Sequence, residues 1–254
     1  MTKTAIITGA SSGLGLEFVK LFAKDGYNLV VIARNEEKLL EIKQSYPNIT
    51  VTVIPKDLSK PNAINEVIQE MNAQNIKVDV LVNNAGFGLL GSFESLSIEQ
   101  QLNMIQLNVS SLTELTYRLL PDLRMSKSGK ILNVASTAAF QPGPNMAVYY
   151  ATKAFVLSFS EALAEELIDD AITVTTLCPG ATKTNFSSVA NVENTIMFSN
   201  AMSSEVVAEQ GYHSLMQGKR VVITGGFNKI GAMAAKFLPR KTAAKIAKLV
   251  MKEN

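Results

Sequence analysis

Short runs of apolar, β-branched residues alternate along the chain with longer stretches in which apolar positions recur at helical spacing. The short runs predict strands at Thr4–Thr8, Leu29–Ala33, Val51–Ile54, Val80–Asn83, Ile131–Ala135, Thr173–Leu177 and Val221–Thr224. The longer stretches predict helices at Gly13–Lys24, Asn35–Ser45, Pro61–Asn72, Glu99–Leu123, Tyr149–Ile168 and Ser204–Met216. Most of the predicted strands are apolar throughout, which is typical of parallel strands covered on both faces. The alternation predicts an α/β fold with a doubly wound parallel sheet of about seven strands and helices on both faces.

The composition favours a single globular domain over residues 1–254, because no stretch has the character of a linker. Hydrophobic residues make up 47% and charged residues 18%, which supplies a substantial core and gives no indication of disorder. The net charge of +2 gives no reason to expect a nucleic-acid partner. The single cysteine, Cys178, excludes an internal disulfide and a thiolate metal cluster, and no metal site is predicted. With no signal segment before the first predicted strand and no apolar stretch that could cross a bilayer, we expect a cytoplasmic protein.

A glycine-rich turn, Thr8–Gly15, follows the first predicted strand and opens the first predicted helix. Glycines let the backbone approach an anion closely, and a helix N-terminus offers unpaired N–H groups to a phosphate. The turn therefore predicts a site for a dinucleotide pyrophosphate and a Rossmann-type sheet. Its predicted binding residues are Gly9, Ser11, Ser12, Gly13, Leu14 and Gly15. An ordinary glycine-rich turn is the plainer alternative, which the position between strand and helix disfavours.

The same residues also fit the nucleophile elbow of a serine hydrolase, with Ser11 as the nucleophile. An elbow needs an earlier loop to complete its oxyanion hole, and here nothing precedes the first strand. It also needs a histidine base, and the only histidine is His213, inside a helical stretch. The hydrolase alternative is therefore disfavoured.

The end of the second predicted strand bears on the choice of dinucleotide. A site for NAD usually places a carboxylate there to bond the ribose 2′-hydroxyl, whereas this chain has Ala33 followed by Arg34. A guanidinium can bind a 2′-phosphate through forked, charge-assisted hydrogen bonds. The alternative is a solvated arginine, which a helix N-terminus mildly disfavours. We expect NADP(H) to be preferred over NAD(H).

Taken in order, the motifs resemble those of the classical short-chain dehydrogenase/reductase family over residues 1 to about 225. They are the turn at Thr8–Gly15, Asn83–Gly86, Asn108 in Leu107-Asn108-Val109, Ser136 after the fifth strand, Tyr149–Lys153, Pro179-Gly180 and Thr184. The resemblance implies an oxidoreductase that uses NADP(H) to transfer a hydride to or from a carbonyl or alcohol. Two departures stand out. One serine, Ser136, is present where the family often has a pair, and Tyr150 adjoins Tyr149, although only Tyr149 makes the four-residue step to Lys153.

The resemblance also implies roles for single positions. Asp57 and Leu58 are expected at the adenine ring, Asn84 on the adenosine side and Thr184 at the nicotinamide carboxamide. Asp79 is expected to support the sheet edge. The implied catalytic residues are Asn108, Ser136, Tyr149 and Lys153, of which Tyr149 and Lys153 also contact the cofactor. Asn108 is expected to hold a water that links Lys153 to solvent.

Tyr149 and Lys153 suit this chemistry because residues at i and i+4 share one helix face. A free phenol is a poor base near neutral pH, and a nearby cation favours phenolate, so we expect Lys153 to lower the pKa of Tyr149. Ser136 is expected to hydrogen-bond the substrate oxygen as charge develops. Two alternatives stay open: a Tyr–Lys pair on a helix surface, and a cofactor-binding sensor or scaffold without catalysis. The presence of Asn108 together with the other three residues favours the enzyme.

Residues 185–203 are the predicted substrate loop, because the resemblance places substrate selection after Pro179-Gly180. The loop contains Phe186, Val189, Met197, Phe198 and Met202 and has few charges. This composition favours an apolar small-molecule carbonyl or alcohol as substrate.

Residues 229–254 are predicted to be a C-terminal helical extension, and Thr224–Gly231 the loop after the last sheet strand, because too few residues follow for another βαβ unit. One helical face carries Lys241, Lys245, Lys248 and Lys252, and another Ile246, Leu249 and Val250. Such a helix either lies on an anionic membrane or, more commonly, covers a groove or partner with its apolar side. By resemblance, helices beginning near Glu99 and Tyr149 form subunit contacts in a homodimer or homotetramer.

Overall fold

The computed structural model describes residues 2–190, 192–193, 195–198 and 201–251, without the side chains of Ser188 and Met197. In this part of the chain, seven strands form one sheet in the order β3-β2-β1-β4-β5-β6-β9. They are β1 (Thr4–Thr8), β2 (Asn28–Ala33), β3 (Val51–Pro55), β4 (Val80–Asn83), β5 (Lys130–Val134), β6 (Thr173–Cys178) and β9 (Val221–Ile223), and all neighbouring pairs are parallel. A separate short pair joins β7 (Thr182–Lys183) to β8 (Met202–Ser203). The predicted doubly wound parallel sheet is confirmed.

Helices connect the strands and cover both faces of the sheet. They are α1 (Gly13–Lys24), α2 (Glu36–Ser45), α3 (Ala63–Ala73), α4 (Ile98–Ile105), α5 (Leu112–Met125), α6 (Ala147–Glu166), α7 (Asn185–Ala190), α8 (Ser204–Met216), α9 (Gly226–Phe237) and α10 (Arg240–Val250). None of the helices in the described ranges has both the length and the apolarity that crossing a bilayer requires.

The central strand β1 shows why these runs form a sheet buried on both faces. Successive side chains of a strand point to opposite faces. Ile7 packs into one hydrophobic cluster together with Phe18 and Phe22 of α1. Ile6 packs into the opposite cluster, with Val67 of α3 and Leu119 of α5. Both faces of β1 are therefore covered by helices, which accounts for a run that is apolar at every position.

The stretch predicted to be helical over Glu99–Leu123 is helical throughout, but it is not one uniform α-helix. The chain forms α4, then a π-helical turn at Gln106–Ser111, then α5. The turn contains Asn108, which is buried and hydrogen-bonded to residues from two other segments. A π-helical turn inserts one extra residue into a helix and is common at functional sites. Here the turn gives Asn108 a position that a continuous α-helix would not provide.

The loop predicted at Thr224–Gly231 is wrong from Gly226 onward, because α9 begins there. Gly225 has a φ of +82° and turns the chain out of the sheet. The side chain of Asn228 then donates to the backbone carbonyl of Thr224 at 2.8 Å and secures the first turn of the helix. The C-terminal extension therefore starts at Gly226 rather than at 229 and consists of two helices, α9 and α10, with Pro239 between them.

Candidate functional site

The glycine turn is held in a shape that leaves room for an anion. Gly9 and Gly13 have φ angles of +66° and +54°, in the left-handed region that favours glycine. A Cβ atom at Gly15 would lie 2.1 Å from the carbonyl oxygen of Gly9, so only glycine lets α1 approach the strand end this closely. The first turn of α1 contains no acidic residue. This combination of free backbone N–H groups and a positive helix end fits a pyrophosphate.

Two polar side chains brace the turn, Thr8 at the end of β1 and Asn84 just after the neighbouring strand β4. The amide of Asn84 donates to the carbonyl oxygens of Thr8 and Gly9, at 2.9 and 3.3 Å. The buried hydroxyl of Thr8 accepts hydrogen bonds from the backbone N–H groups of Asn84 and Ala85, at 3.0 and 2.9 Å. Asn84 therefore positions the turn as well as lining the site. Thr8, which the sequence motif contains but which was not predicted to be a site residue, ties β1 to the end of β4.

A cleft of about 940 Å³ opens at the carboxyl ends of the strands and brings most of the predicted site residues together. Ligands of doubly wound sheets bind at this edge. Of the predicted residues, the cleft is lined by Gly9, Ser11, Ser12, Gly13, Leu14, Arg34, Asp57, Leu58, Asn84, Ser136, Tyr149, Lys153 and Thr184. Gly15 and Asn108 do not line the cleft themselves. Gly15 packs against Gly9 and Asn108 hydrogen-bonds Phe87, and both of these neighbours do line it. Thr184 packs against Gly13, whose Cβ would stand 3.1 Å from the threonine side chain.

Positive charge collects at the end of the cleft beyond β2 and β3. Arg34, which lies just before α2, lines the cleft there together with Lys38 of α2, which was not predicted. The nearness of Lys38 to Arg34 along the chain was the available signal. Burial alone would raise the pKa of Asp57. The hydroxyl and backbone N–H of Ser59 donate to its carboxylate, however, and with the charge of Arg34 they lower the pKa below its usual value. Asp57 is therefore ionised and offers an acceptor near Arg34.

The three residues Ser136, Tyr149 and Lys153 converge in the middle of the cleft. Ser136 follows β5, and its hydroxyl accepts a hydrogen bond from the backbone N–H of Ala138 at 3.1 Å. Tyr149 and Lys153 are on the first turns of α6, and the Nζ atom of Lys153 lies 5.8 Å from the centre of the Tyr149 ring. Lys153 is buried and donates to the carbonyl oxygen of Val134 at 2.8 Å. The cleft therefore contains a phenol, a hydroxyl and an amine within one small volume.

The pKa of Tyr149 does not move in the expected direction. Burial raises it to about 12, and the hydrogen bond with Ser136 opposes this only partly. Burial also lowers the pKa of Lys153 to about 8. A low-dielectric surrounding penalises the charged form of both groups, so proximity to an amine does not by itself produce a phenolate. The protonated phenol is therefore the stable form of Tyr149 at neutral pH.

Asn108 lies behind Lys153 in the π-helical turn. Its amide oxygen accepts from the backbone N–H of Phe87 at 3.2 Å, and its amide nitrogen donates to the carbonyl of Phe87 and to the hydroxyl of Thr152, at 3.0 and 3.1 Å. A Cβ at Gly86 would lie 2.9 Å from the amide oxygen of Asn108 and 3.6 Å from Nζ of Lys153. Glycine at position 86 therefore keeps open the space between the two side chains.

One end of the cleft is apolar and is built from parts of the chain that are distant in sequence. Tyr149, Met146, Val192 and Met251 are buried there in one hydrophobic cluster, against which Phe186 packs. The predicted loop residues Val189 and Phe198 also line this end, whereas Met202 packs against a different cluster and the side chain of Met197 is outside the described set. Met146 and Met251 were not predicted. Met251 follows α10, and the expectation that the apolar side of this helix covers a groove did not identify the groove as this cleft.

Asp79 and His213 lie outside the cleft. The carboxylate of Asp79 accepts hydrogen bonds from the backbone N–H of Thr4 at 2.8 Å and from the hydroxyl of Ser126 at 2.6 Å, which supports the sheet edge. His213 is in the last turn of α8 and does not line the cleft. Ser11 therefore has no histidine base in this cleft, which removes the basis for the hydrolase alternative.

A glycine turn at the switch point of a doubly wound sheet, with a Tyr–Lys pair in the same cleft, is the combination expected of a dinucleotide-dependent oxidoreductase. The chain belongs to the short chain dehydrogenase family, whose profile matches residues 3–194. An uncharacterised oxidoreductase of Staphylococcus epidermidis is 33% identical over 182 residues, which cover 72% of this chain and 79% of that protein. The suspected family is confirmed.

Solved structures agree with this assignment. A short-chain dehydrogenase from Sphingobium yanoikuyae in complex with NADPH has a TM-score of 0.81 and 28% identity, over 91% of this chain and 92% of that one. A 7β-hydroxysteroid dehydrogenase has a TM-score of 0.85 and 25% identity, over 96% of both chains. A 3-ketoacyl-(acyl-carrier-protein) reductase from Brucella melitensis complexed with NADH has a TM-score of 0.78 and 28% identity, over 89% of this chain and 98% of that one. Relatives of this fold therefore bind either nicotinamide dinucleotide.

Proposed function

We propose that the protein is an NADP(H)-dependent oxidoreductase that interconverts an apolar ketone or aldehyde with its alcohol, with Tyr149 as the general acid and base. The observation that carries the proposal is the meeting of Ser136, Tyr149 and Lys153 in the cleft that the glycine turn opens. A sensor or scaffold without catalysis would need only the glycine turn, and the buried amine of Lys153 would then be an unexplained cost.

The bound nicotinamide would supply the hydride, and the chain's residues would control the proton. In the direction of reduction, the hydroxyl of Tyr149 donates its proton to the carbonyl oxygen as the hydride reaches the carbon. Ser136 donates a hydrogen bond to the same oxygen while negative charge develops on it. A pKa of about 12 keeps Tyr149 protonated before the reaction, which suits its role as an acid.

The tyrosinate left after this step must be reprotonated. The Nζ atom of Lys153 lies 5.8 Å from the centre of the Tyr149 ring, close enough for the ammonium ion to stabilise the tyrosinate. The gap that Gly86 leaves between Asn108 and Lys153 supports a route for the proton from solvent. In alcohol oxidation the same residues act in reverse, and Tyr149 accepts the proton.

The proposed preference for NADP(H) rests on the cationic end of the cleft. Lys56 lines the same region but forms an ion pair with Glu66 at 2.7 Å. Arg34, within the described residues, has no ion-pair partner, and Lys38 likewise has none. These two side chains are available to a 2′-phosphate, and β2 itself ends in Ala33 rather than in a carboxylate that would repel the phosphate.

The proposed substrate is apolar because the end of the cleft beside Tyr149 is apolar. Met146, Phe186, Val192 and Met251 surround the place where a substrate carbonyl would reach the Tyr149 hydroxyl. Pockets of this kind bind mainly through buried apolar area, and polar groups fix the orientation. The similarity to a 7β-hydroxysteroid dehydrogenase supports a bulky, cyclic substrate.

We also propose that the protein works as a homo-oligomer in the cytoplasm. Exposed apolar side chains occur on the surfaces of α4, α5 and α6, namely Ile98, Leu102, Ile105, Tyr117 and Phe155. An apolar patch on several neighbouring helices is typical of a subunit interface. Sedimentation equilibrium of the wild type and of a Tyr117→Glu variant tests this proposal, which predicts a dimer or tetramer that the variant weakens.

The test of the function is a titration with NADPH and NADH followed by a screen of apolar ketones. We expect NADPH to bind at least about tenfold more tightly than NADH, and Arg34→Ala to remove most of that difference. Tyr149→Phe should still bind NADPH but lose ketone reduction by at least about a hundredfold. Equal affinity for the two dinucleotides would refute the cofactor preference. Retention of reduction by Tyr149→Phe within about tenfold would refute the role of Tyr149.

A further inference from the structure

The two C-terminal helices expose their large apolar side chains and bury their small ones. On α9 the exposed side chains include Phe227 at 94% and Phe237 at 85%, with Ile230 and Met233 between them. The buried residue of α9 is Ala232. A surface helix normally does the opposite, as α1 does when it buries Phe18 and Phe22. The arrangement on α9 is therefore unsuited to a helix whose outer side faces only water.

Helix α10 repeats the same pattern. Its buried residues are Ala243 and Ala247, and Met251 beyond its end reaches the cleft. Ile246 and Leu249 are exposed on its outer side. The exposed apolar residues Phe227, Ile230, Met233, Phe237, Ile246 and Leu249 are called here the C-terminal face.

The segment that carries the C-terminal face is strongly positive. Six of the chain's 24 basic residues and none of its 22 acidic residues lie between Gly226 and Met251. They are Lys229, Lys236, Arg240, Lys241, Lys245 and Lys248. Because the whole chain has a net charge of only +2, the rest of the protein is net negative and the positive charge is concentrated here.

We propose that the C-terminal face docks on the surface of an anionic phospholipid bilayer, with α9 and α10 lying in the plane of the headgroups. Amphipathic helices with aromatic and aliphatic residues flanked by lysines bind in this way, through buried apolar area and attraction to anionic lipid. A second copy of the chain fits less well, because a twofold contact through this face would bring two sets of six cations together. The proposal does not depend on the substrate or cofactor proposed above.

The experiment is co-sedimentation of the full chain with vesicles of phosphatidylcholine alone and of phosphatidylcholine mixed with phosphatidylglycerol. We expect binding to the anionic vesicles, weak binding to the neutral ones, and a decrease as salt is raised. The double variant Phe227→Glu/Phe237→Glu should lower the partition coefficient on anionic vesicles by at least about tenfold.

The matched control is Phe93→Glu/Met125→Glu. It introduces the same two charges at exposed apolar residues, 63% and 70% accessible, outside the C-terminal face. This control should bind anionic vesicles like the wild type, and unchanged thermal melting of both variants would show that they are folded. Three results would refute the proposal. The wild type could bind neutral and anionic vesicles equally, both double variants could lose vesicle binding equally, or Phe227→Glu/Phe237→Glu could bind anionic vesicles as well as the wild type does.

Two further outcomes would refute the proposal and assign the C-terminal face to a different partner. Self-association that Phe227→Glu/Phe237→Glu abolishes, without vesicle binding by the wild type, would assign the C-terminal face to a second copy. Binding to double-stranded DNA in place of vesicles would assign it to nucleic acid. Analytical ultracentrifugation and a fluorescence-anisotropy titration with DNA measure these two outcomes.

Discussion

Substitution of Lys153 by methionine should remove activity. It should also make the unfolding free energy of the nucleotide-free protein less dependent on pH. Burial lowers the pKa of Lys153 from 10.5 to about 8. Each pKa unit corresponds to about 1.4 kcal/mol, so keeping the ammonium ion in the folded protein costs about 3 kcal/mol at pH 7. The lowered pKa means that the unfolded chain binds the proton more tightly, so stability rises with pH between about 8 and 10.5. From pH 7 to pH 9.5 this contribution amounts to about 2 kcal/mol.

The assay is urea unfolding of wild type and Lys153→Met without nucleotide, at both pH values and one protein concentration. The quantity of interest is the difference in unfolding free energy between the two proteins, because other titrating groups cancel in it. Methionine also leaves the carbonyl of Val134 without its donor, which costs about 1–3 kcal/mol at either pH. We expect wild type to gain about 2 kcal/mol relative to Lys153→Met on going to pH 9.5. The exposed-lysine control Lys43→Met should show no such gain. A difference that is the same at both pH values would refute the argument that burial dominates the titration of Lys153.

Two further predictions concern the two ends of the cleft. Gly15→Ala should weaken NADPH binding by at least about tenfold, because its Cβ would meet the carbonyl of Gly9. The control is Gly231→Ala, at a helical position where a Cβ meets no other atom, and it should leave NADPH binding unchanged. Equal NADPH affinities of Gly15→Ala and the wild type in an isothermal titration would contradict the prediction. Met251→Ala should raise the KM for bulky apolar ketones by about tenfold without changing NADPH affinity, because it removes part of the apolar wall. Leu249→Ala, exposed on the same helix, should have no effect on KM, and an unaltered KM in Met251→Ala would show that Met251 does not contact the substrate.

The sheet and the glycine turn could be predicted because their causes are local. An uninterrupted apolar run implies cover on both faces, and the contacts of Ile6 and Ile7 show that cover directly. The step of four residues from Tyr149 to Lys153 places both on one helix face whatever the rest of the chain does. These inferences need only the period of a strand or a helix.

The other features depend on contacts between distant segments. The π-helical turn is associated with hydrogen bonds from Asn108 to Phe87 and Thr152, and no periodicity within 99–123 encodes either partner. The raised pKa of Tyr149 depends on how completely the surrounding elements bury it, which an i to i+4 spacing does not specify. Met251 belongs to the cleft only because α10 folds back over it.

Because Met251 is near the end of the chain, the parts of the cleft form in a definite order during synthesis. A ribosome synthesises every strand of the sheet, the glycine turn and α6 before it reaches α10. Domains begin to fold from the N-terminal side as the chain emerges. A nascent chain can therefore complete the phosphate-binding turn and bring Ser136, Tyr149 and Lys153 together while one wall of the apolar end is still missing. The shape of that end is completed only when α10 and Met251 join the fold.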